Sequence, residues 1–234
     1  MKNNIFSLIF VCTSMFLYSC SKSSSNDNSS SSTLSNTPLA KAQFDNSNYG
    51  IYKGVFVGST GIVLININND STLTATLIID HVTYNFTTTQ TVNLNQSTQI
   101  HFVNGTNSFN FNVGANGSNP YFSSISINGH SQASIVIVKE TSNSLVRCFE
   151  GTFNGDNYGT WNGVVKDNIF KGIALSDLDG STIYANGNVA NNRLSGTVST
   201  GATFDGSYDG LRSSGTWIDQ AYSESGTWNV TRTY

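Results

Sequence analysis

The sequence predicts an almost all-β protein, an antiparallel meander of consecutive hairpins forming a barrel or β-sandwich after a disordered N-terminal tether. Three observations carry that reading. Apolar and polar residues alternate over short runs, as in Leu73, Ala75, Leu77 and Ile79 between threonines, the pattern of strands with one buried and one wet face. Turn residues such as Asn68-Asn69-Asp70, Asn104-Gly105, Asn191-Asn192 and Asp209-Gly210 break the chain at short intervals. Glycine and aromatic residues then recur closely from Phe149 to Tyr234, with Gly-Thr-Trp ending at Trp161, Trp217 and Trp228. A closed or strongly coiled sheet needs glycines where it bends, and a neighbouring ring can cover the gap each one leaves.

In chain order, Ile51 to Val57 opens the strands, and Ile62-Val63-Leu64-Ile65, apolar on both faces, reads as a covered strand. Val82, Tyr84 and Phe86 continue the alternation, and Ile100, Phe102, Phe109, Phe111 and Val113 form a hairpin about Asn104-Gly105. Ile125 and Ile127 lead into Asn128-Gly129, the signal for a type I′ hairpin, with Ala133, Ile135 and Ile137 as the return strand. Tyr52 to Gly58 matches Phe149 to Gly155 in its aromatic and glycine positions, so two hairpin arrays open with similar devices. The second runs through turns at Lys166-Asp167-Asn168 and Asp177-Leu178-Asp179-Gly180. Its last strand places Trp228, Val230, Arg232 and Tyr234 on one face. The faces of Thr and Asn that alternate with these residues lack the apolar band of a lipid-facing barrel.

Composition narrows the class. Charged residues make up 11% of the 234 residues, against roughly 25% in ordinary domains, and Asn, Ser, Thr and Gly supply the polarity. A net charge of −3 is too small to steer nucleic acid, and no nucleic-acid partner is expected. Lys2, the apolar run Ile5 to Leu17 and small Ser19 before Cys20 read as a processed export signal, too short to span a bilayer. The expected organisation is a signal peptide over 1–19, a Ser/Asn-rich tether over 20–48, a hairpin region over 49–145 and a Gly/Trp hairpin array over 146–234. The last two are also compatible with one continuous domain.

Leu17-Tyr18-Ser19-Cys20 resembles the bacterial lipobox, although Tyr18 is bulkier than the usual residue there. The resemblance implies cleavage before Cys20, lipidation of that residue and membrane partnership through the anchor. Together with the tether, Ser214-Gly215-Thr216-Trp217, Ser225-Gly226-Thr227-Trp228 and Arg232, it makes the chain similar to the envelope lipoproteins of Bacteroidota with C-terminal Gly-Thr-Trp hairpins. That implies a lipid-anchored place in the cell envelope, at the outer membrane, with the facing side open, and implies no catalytic residues.

The residues that could carry chemistry are few. His81, His101 and His130 share no ligand spacing. Asp177 to Gly180 lacks the remaining oxygens of a calcium loop and reads as an Asx turn. Glu150 near Arg147 and Asp156 carries no visible sign of a tuned pKa, and Cys148, the thiol left once Cys12 departs and Cys20 is modified, reads as a buried inert residue. No phosphate loop, nucleophile elbow or dinucleotide fingerprint is present, so neither a cofactor nor an enzyme is expected. The expected role is a non-enzymatic structural or interaction one; the alternative is a binding module for an apolar small molecule or glycan. Trp161, Trp217 and Trp228 are the candidate ligand contacts, although rings of this kind more often fill cores, and an open apolar cavity would favour the binding role.

Overall fold

The computed structural model describes residues 34–234. The expected signal peptide, Cys20 and the first part of the tether lie outside them. From residue 50 the chain is nearly all strand, arranged as a two-layer sandwich followed by a closed barrel. Both architectures named by the sequence pattern are therefore present, one in each array.

The sandwich contains two antiparallel sheets. The larger orders β4 (Val82–Phe86), β3 (Leu73–Ile79), β2 (Gly61–Ile67), β1 (Gly50–Val57) and β8 (Ser134–Lys139). The smaller is β5 (Thr98–Asn104), β6 (Asn107–Val113) and β7 (Tyr121–Ser126). Their inner faces meet through aromatic contacts, with Phe86 and Phe109 rings 4.8 Å apart and Tyr52 and Phe111 5.1 Å apart.

One expected hairpin is corrected. β7 pairs with β6, whereas β8 crosses to β1 with Tyr52 opposite Lys139 and Val57 opposite Ser134. Of Asn128 and Gly129 only the glycine has positive φ, so the turn is not type I′. The long apolar β1 would otherwise expose an open edge, and pairing it with β8 satisfies that edge.

A second correction concerns the tether, which does not extend to residue 48. Asn48 is fully buried, donates to Asn93 O and Thr98 Oγ1, and accepts from Asn95 N. The Leu39 and Lys41 amides donate to Glu140 and Asn69 at 2.6 and 2.9 Å. Lys139 Nζ donates to the Phe44 and Ser47 carbonyls, and Arg232 to Ser35 and Asn36. Buried charges need partners, and the backbone of this polar segment supplies them.

The barrel orders β9 (Arg147–Gly155), β10 (Gly159–Lys166), β11 (Ile169–Ser176), β12 (Thr182–Ala190), β13 (Arg193–Val198), β14 (Thr203–Tyr208), β15 (Arg212–Asp219) and β16 (Glu224–Arg232), which returns to β9. Every strand carries an inward glycine among its apolar residues, for instance Gly172 between Phe170 and Ala174 and Gly196 between Leu194 and Val198. They make room for rings. A Cβ on Gly172 would lie 2.6 Å from the Phe170 ring, and one on Gly196 2.7 Å from that of Phe204. An eight-stranded barrel is just wide enough for side chains to fill, and here the Phe170, Phe204, Trp161 and Trp228 rings fill its middle.

Sandwich and barrel share β1 as their seam. Tyr52 and Phe56 point into the sandwich, while Val55 and Val57 pack with Val164, Ile173 and Leu175 on the barrel's outer wall. Asn162 bridges the layers, donating to Phe56 O at 2.6 Å and accepting from Gly151 N. Glu150 accepts hydroxyl bonds from Thr60 and Thr233, which gives it a structural occupation.

Cys148 lies in this seam, fully buried, and burial pushes its thiol up to about 12. Two results should follow. In a chain with Cys12 and Cys20 replaced by Ser, a thiol reagent at pH 8 should modify nothing until denaturant is added, because only unfolding exposes a reactive thiolate. Between pH 9 and 12 the folded state keeps a proton that the unfolded state releases, so the Cys148 contribution to stability is lost as pH rises through that window. Comparing unfolding free energies of that chain and its Cys148→Ala variant across pH 7 to 11 checks the sign; a difference that grows in favour of Cys148 at alkaline pH would contradict it.

Candidate functional site

The two ends of the barrel differ in loop length. At one end β10–β11 and β12–β13 are joined by two-residue turns, Asp167-Asn168 and Asn191-Asn192, all with positive φ. These are tight type I′ connections, and the recess beside Asp167 and Asn168 is a polar one, lined also by Asn36, Ser142, Asn143 and Arg147. At the other end the loops 156–158, 177–181, 199–202 and 220–223 are longer, and loops on a rigid scaffold are where binding residues gather.

A cavity of about 280 Å³ opens among them and descends into the barrel. Its floor and lower walls are Phe153, Trp161, Phe204 and Trp228, with Ile183, Val198 and Trp217 above. Rim residues include Leu178, Asp179, Asp219, Tyr222 and Glu224. Leu178 and Tyr222 are exposed, at 61% and 72%, so two apolar side chains stand at the entrance without a partner.

All three candidate tryptophans therefore line one cavity. They come from β10, β15 and β16, brought to the same end by inward registers: Gly215 lies opposite Trp228 and Gly226 opposite Trp217. Trp228 Nε1 donates to Thr216 O and Trp217 Nε1 to Asn154 O, both at 3.1 Å. Those rings are held by backbone and show the cavity their carbon surfaces. Trp161 differs, because its buried Nε1 has no acceptor among the described residues. An unmet indole N–H in an apolar site costs free energy, and Trp161 is the strained member of the set.

Sequence reasoning missed Phe153, Phe204, Asp219 and Glu224 as lining residues. Asp219 shares its strand face with Trp217 and Glu224 with Trp228, so period-two counting from the tryptophans was the available signal for those two; Phe153 and Phe204 lie on strands without a tryptophan. Knowing which barrel end stays open required the closed structure.

The other chemistry-bearing residues stay apart. His101 pairs with Asn110 on the sandwich surface, and His130 Nδ1 lies 3.1 Å from Gly58 O. The Asp177 to Gly180 run is a tight turn: Ser176 Oγ accepts from the Leu178 and Asp179 amides, and Asp179 accepts from Ser181 N. The Ser181 amide, with the Ser181 and Ser176 hydroxyls, holds the exposed Asp179 carboxyl below its ordinary range. Among the described residues no group of three or more His, Cys, Asp or Glu could hold a metal ion.

Fold and site together define an all-β chain in which a sandwich supports a small closed barrel with one aromatic, open mouth. Neither a described protein family nor a curated protein matches the chain.

Proposed function

We propose that this chain is a lipid-anchored protein of the cell envelope whose barrel mouth binds an apolar small molecule. The cavity is the observation that supports the reading: an otherwise packed barrel keeps an open, ring-lined recess under its longest loops. Small-molecule sites are typically concave and apolar with few polar groups, and a purely structural barrel of this size would gain by filling the space. The glycan alternative is less well served, because the deeper walls are rings and aliphatic side chains, and with the Trp217 and Trp228 N–H groups committed to backbone they offer sugar hydroxyls few hydrogen-bond partners.

The neutral fluorescent probe N-phenyl-1-naphthylamine tests the binding role on the full-length chain. Saturable binding is expected, with affinity lowered at least about tenfold in Trp217→Ala, a ring only partly buried and so less costly to the fold. Non-saturable binding, or binding indifferent to Trp217, would exclude the mouth as the site. The anchor is tested separately. Wild-type protein should fractionate with membranes and begin at Cys20, whereas Cys20→Ala should remain an unprocessed precursor or become soluble. Wholly soluble wild-type protein with another N-terminus would overturn the lipoprotein assignment.

A further inference from the structure

The ligand's charge is legible at the rim. Asp219 and Glu224 are directly opposite each other across β15 and β16, on the inward face shared with Trp217 and Trp228. Like charges directly opposite in a sheet are destabilising. Asp219 is only 6% exposed, and its Oδ1 accepts from Ala221 N at 3.0 Å while Oδ2 accepts no hydrogen bond among the described residues. Glu224 makes no side-chain hydrogen bond among them. Asp179 lines the same cavity, and Asp156 and Asp177 belong to the same loops.

No compensating cation is at hand among the described residues. The loops 156–158, 177–181, 199–202 and 220–223 contain neither Lys nor Arg, and neither lines the cavity. The barrel's basic residues sit toward the opposite end: Arg147, Lys166, Lys171, Arg193 and Arg212 at or near strand termini there, and Arg232 inside. An anion entering this mouth would meet carboxylates, hydroxyls, ring and aliphatic faces and the Asn157 amide, with no Lys or Arg among the lining residues. A cation would meet a counter-charge at the rim and, deeper, the electron-rich faces of Phe153, Phe204, Trp217 and Trp228, which attract positive charge.

Resting on the binding role proposed above, we infer that the mouth selects an organic cation, with an aromatic or branched-alkyl body in the cavity and its charged nitrogen against Asp219 and Glu224. The recess is ring-lined rather than oxygen-lined, so a body that buries apolar surface suits it better than a bare metal ion, whose ligands would be oxygens. Cation binding also offsets the placing of two carboxylates opposite each other across β15 and β16.

Competition against N-phenyl-1-naphthylamine on the full-length chain, at low salt, tests this with three compounds sharing a benzyl group: benzyltrimethylammonium, benzyl alcohol and phenylmethanesulfonate. The cation should bind at least about tenfold more tightly than the alcohol, and the sulfonate most weakly. Raising salt should narrow the spread. Glu224→Gln removes one charge without breaking any hydrogen bond, so the variant should fold at least as stably as wild type. It should lose most of the cation preference, read as the ratio of benzyltrimethylammonium to benzyl alcohol affinity in that same variant. Asp219→Asn should act in the same direction.

If the naphthylamine binds but the cation is no better than the alcohol, or Glu224→Gln leaves the preference intact, the charge assignment is wrong and the apolar site survives. Failure of the naphthylamine itself to bind would remove the underlying role. Calcium chloride displacing the probe at lower concentration than benzyltrimethylammonium would overturn the organic cation in favour of a metal ion on the carboxylates.

Discussion

Replacing Lys53 with Met should destabilise the fold by about 3–5 kcal/mol, the range for breaking a buried ion pair from one side. Lys53 and Glu140 are 1% and 0% exposed, and Nζ lies 2.5 Å from Oε2. Glu140 also accepts from the Leu39 and Val146 amides at 2.6 and 3.0 Å, and the Lys53 ammonium faces the Tyr234 ring at 5.0 Å. One carboxylate thus ties the N-terminal segment, β1 and the link from β8 to β9, at the junction of sandwich and barrel. With Met at position 53 the carboxylate keeps two backbone donors but loses its counter-charge in a place water does not reach. Typical domains are stable by only about 5–15 kcal/mol, so the loss would be a large fraction of the total. Urea unfolding measures it, and the double variant Lys53→Met/Glu140→Gln should recover a substantial part because no charge is then left unpaired. A single-variant loss below about 1 kcal/mol would show that the pair is solvated.

Trp228→Ala should be comparably damaging, at about 3–5 kcal/mol. The ring is 2% exposed and packs 6.1 Å from Phe204 and 6.3 Å from Trp161 between centroids. Removing it deletes the indole hydrogen bond to the Thr216 carbonyl and extends the mouth cavity into the packed middle of the barrel. Trp217, half-buried at the upper wall, should cost less stability and more ligand affinity. The two substitutions therefore separate the scaffold from the proposed binding surface, although both rings touch the same space. Thermal unfolding and naphthylamine titration of both variants check the division, and a Trp228→Ala protein as stable as wild type would remove that ring from the core.

The anticipated opposition between structural and ligand-contacting tryptophans dissolves for a simple reason. An eight-stranded barrel has one small interior, and the residues that pack its middle are also the floor of whatever opens at its end. The glycines make that possible, since rings as large as those of Phe170 and Phe204 fit only where facing strands present no Cβ.

What the sequence by itself determined is what depends on near neighbours. Alternation in β3 and β16, the doubly apolar β2, the two-residue turns at Asp167-Asn168 and Asn191-Asn192, and the Asx turn before Gly180 are all set within a few residues, and the structure shows each of them. The inward face of the Gly-Thr-Trp strands was readable for the same reason. Tertiary structure alone decided the partners of strand edges. β8 left its sequence neighbour for β1, residues 34–48 folded onto buried charges, and β16 closed on β9 rather than leaving a sheet edge. Pairing energy depends on which backbone edge remains unsatisfied after all the others have formed, a property of the assembled chain and not of any local window. The same holds for the mouth: Asp219 and Glu224 are ordinary acids beside a turn until barrel closure faces them inward, together, with no Lys or Arg of the described residues lining the cavity.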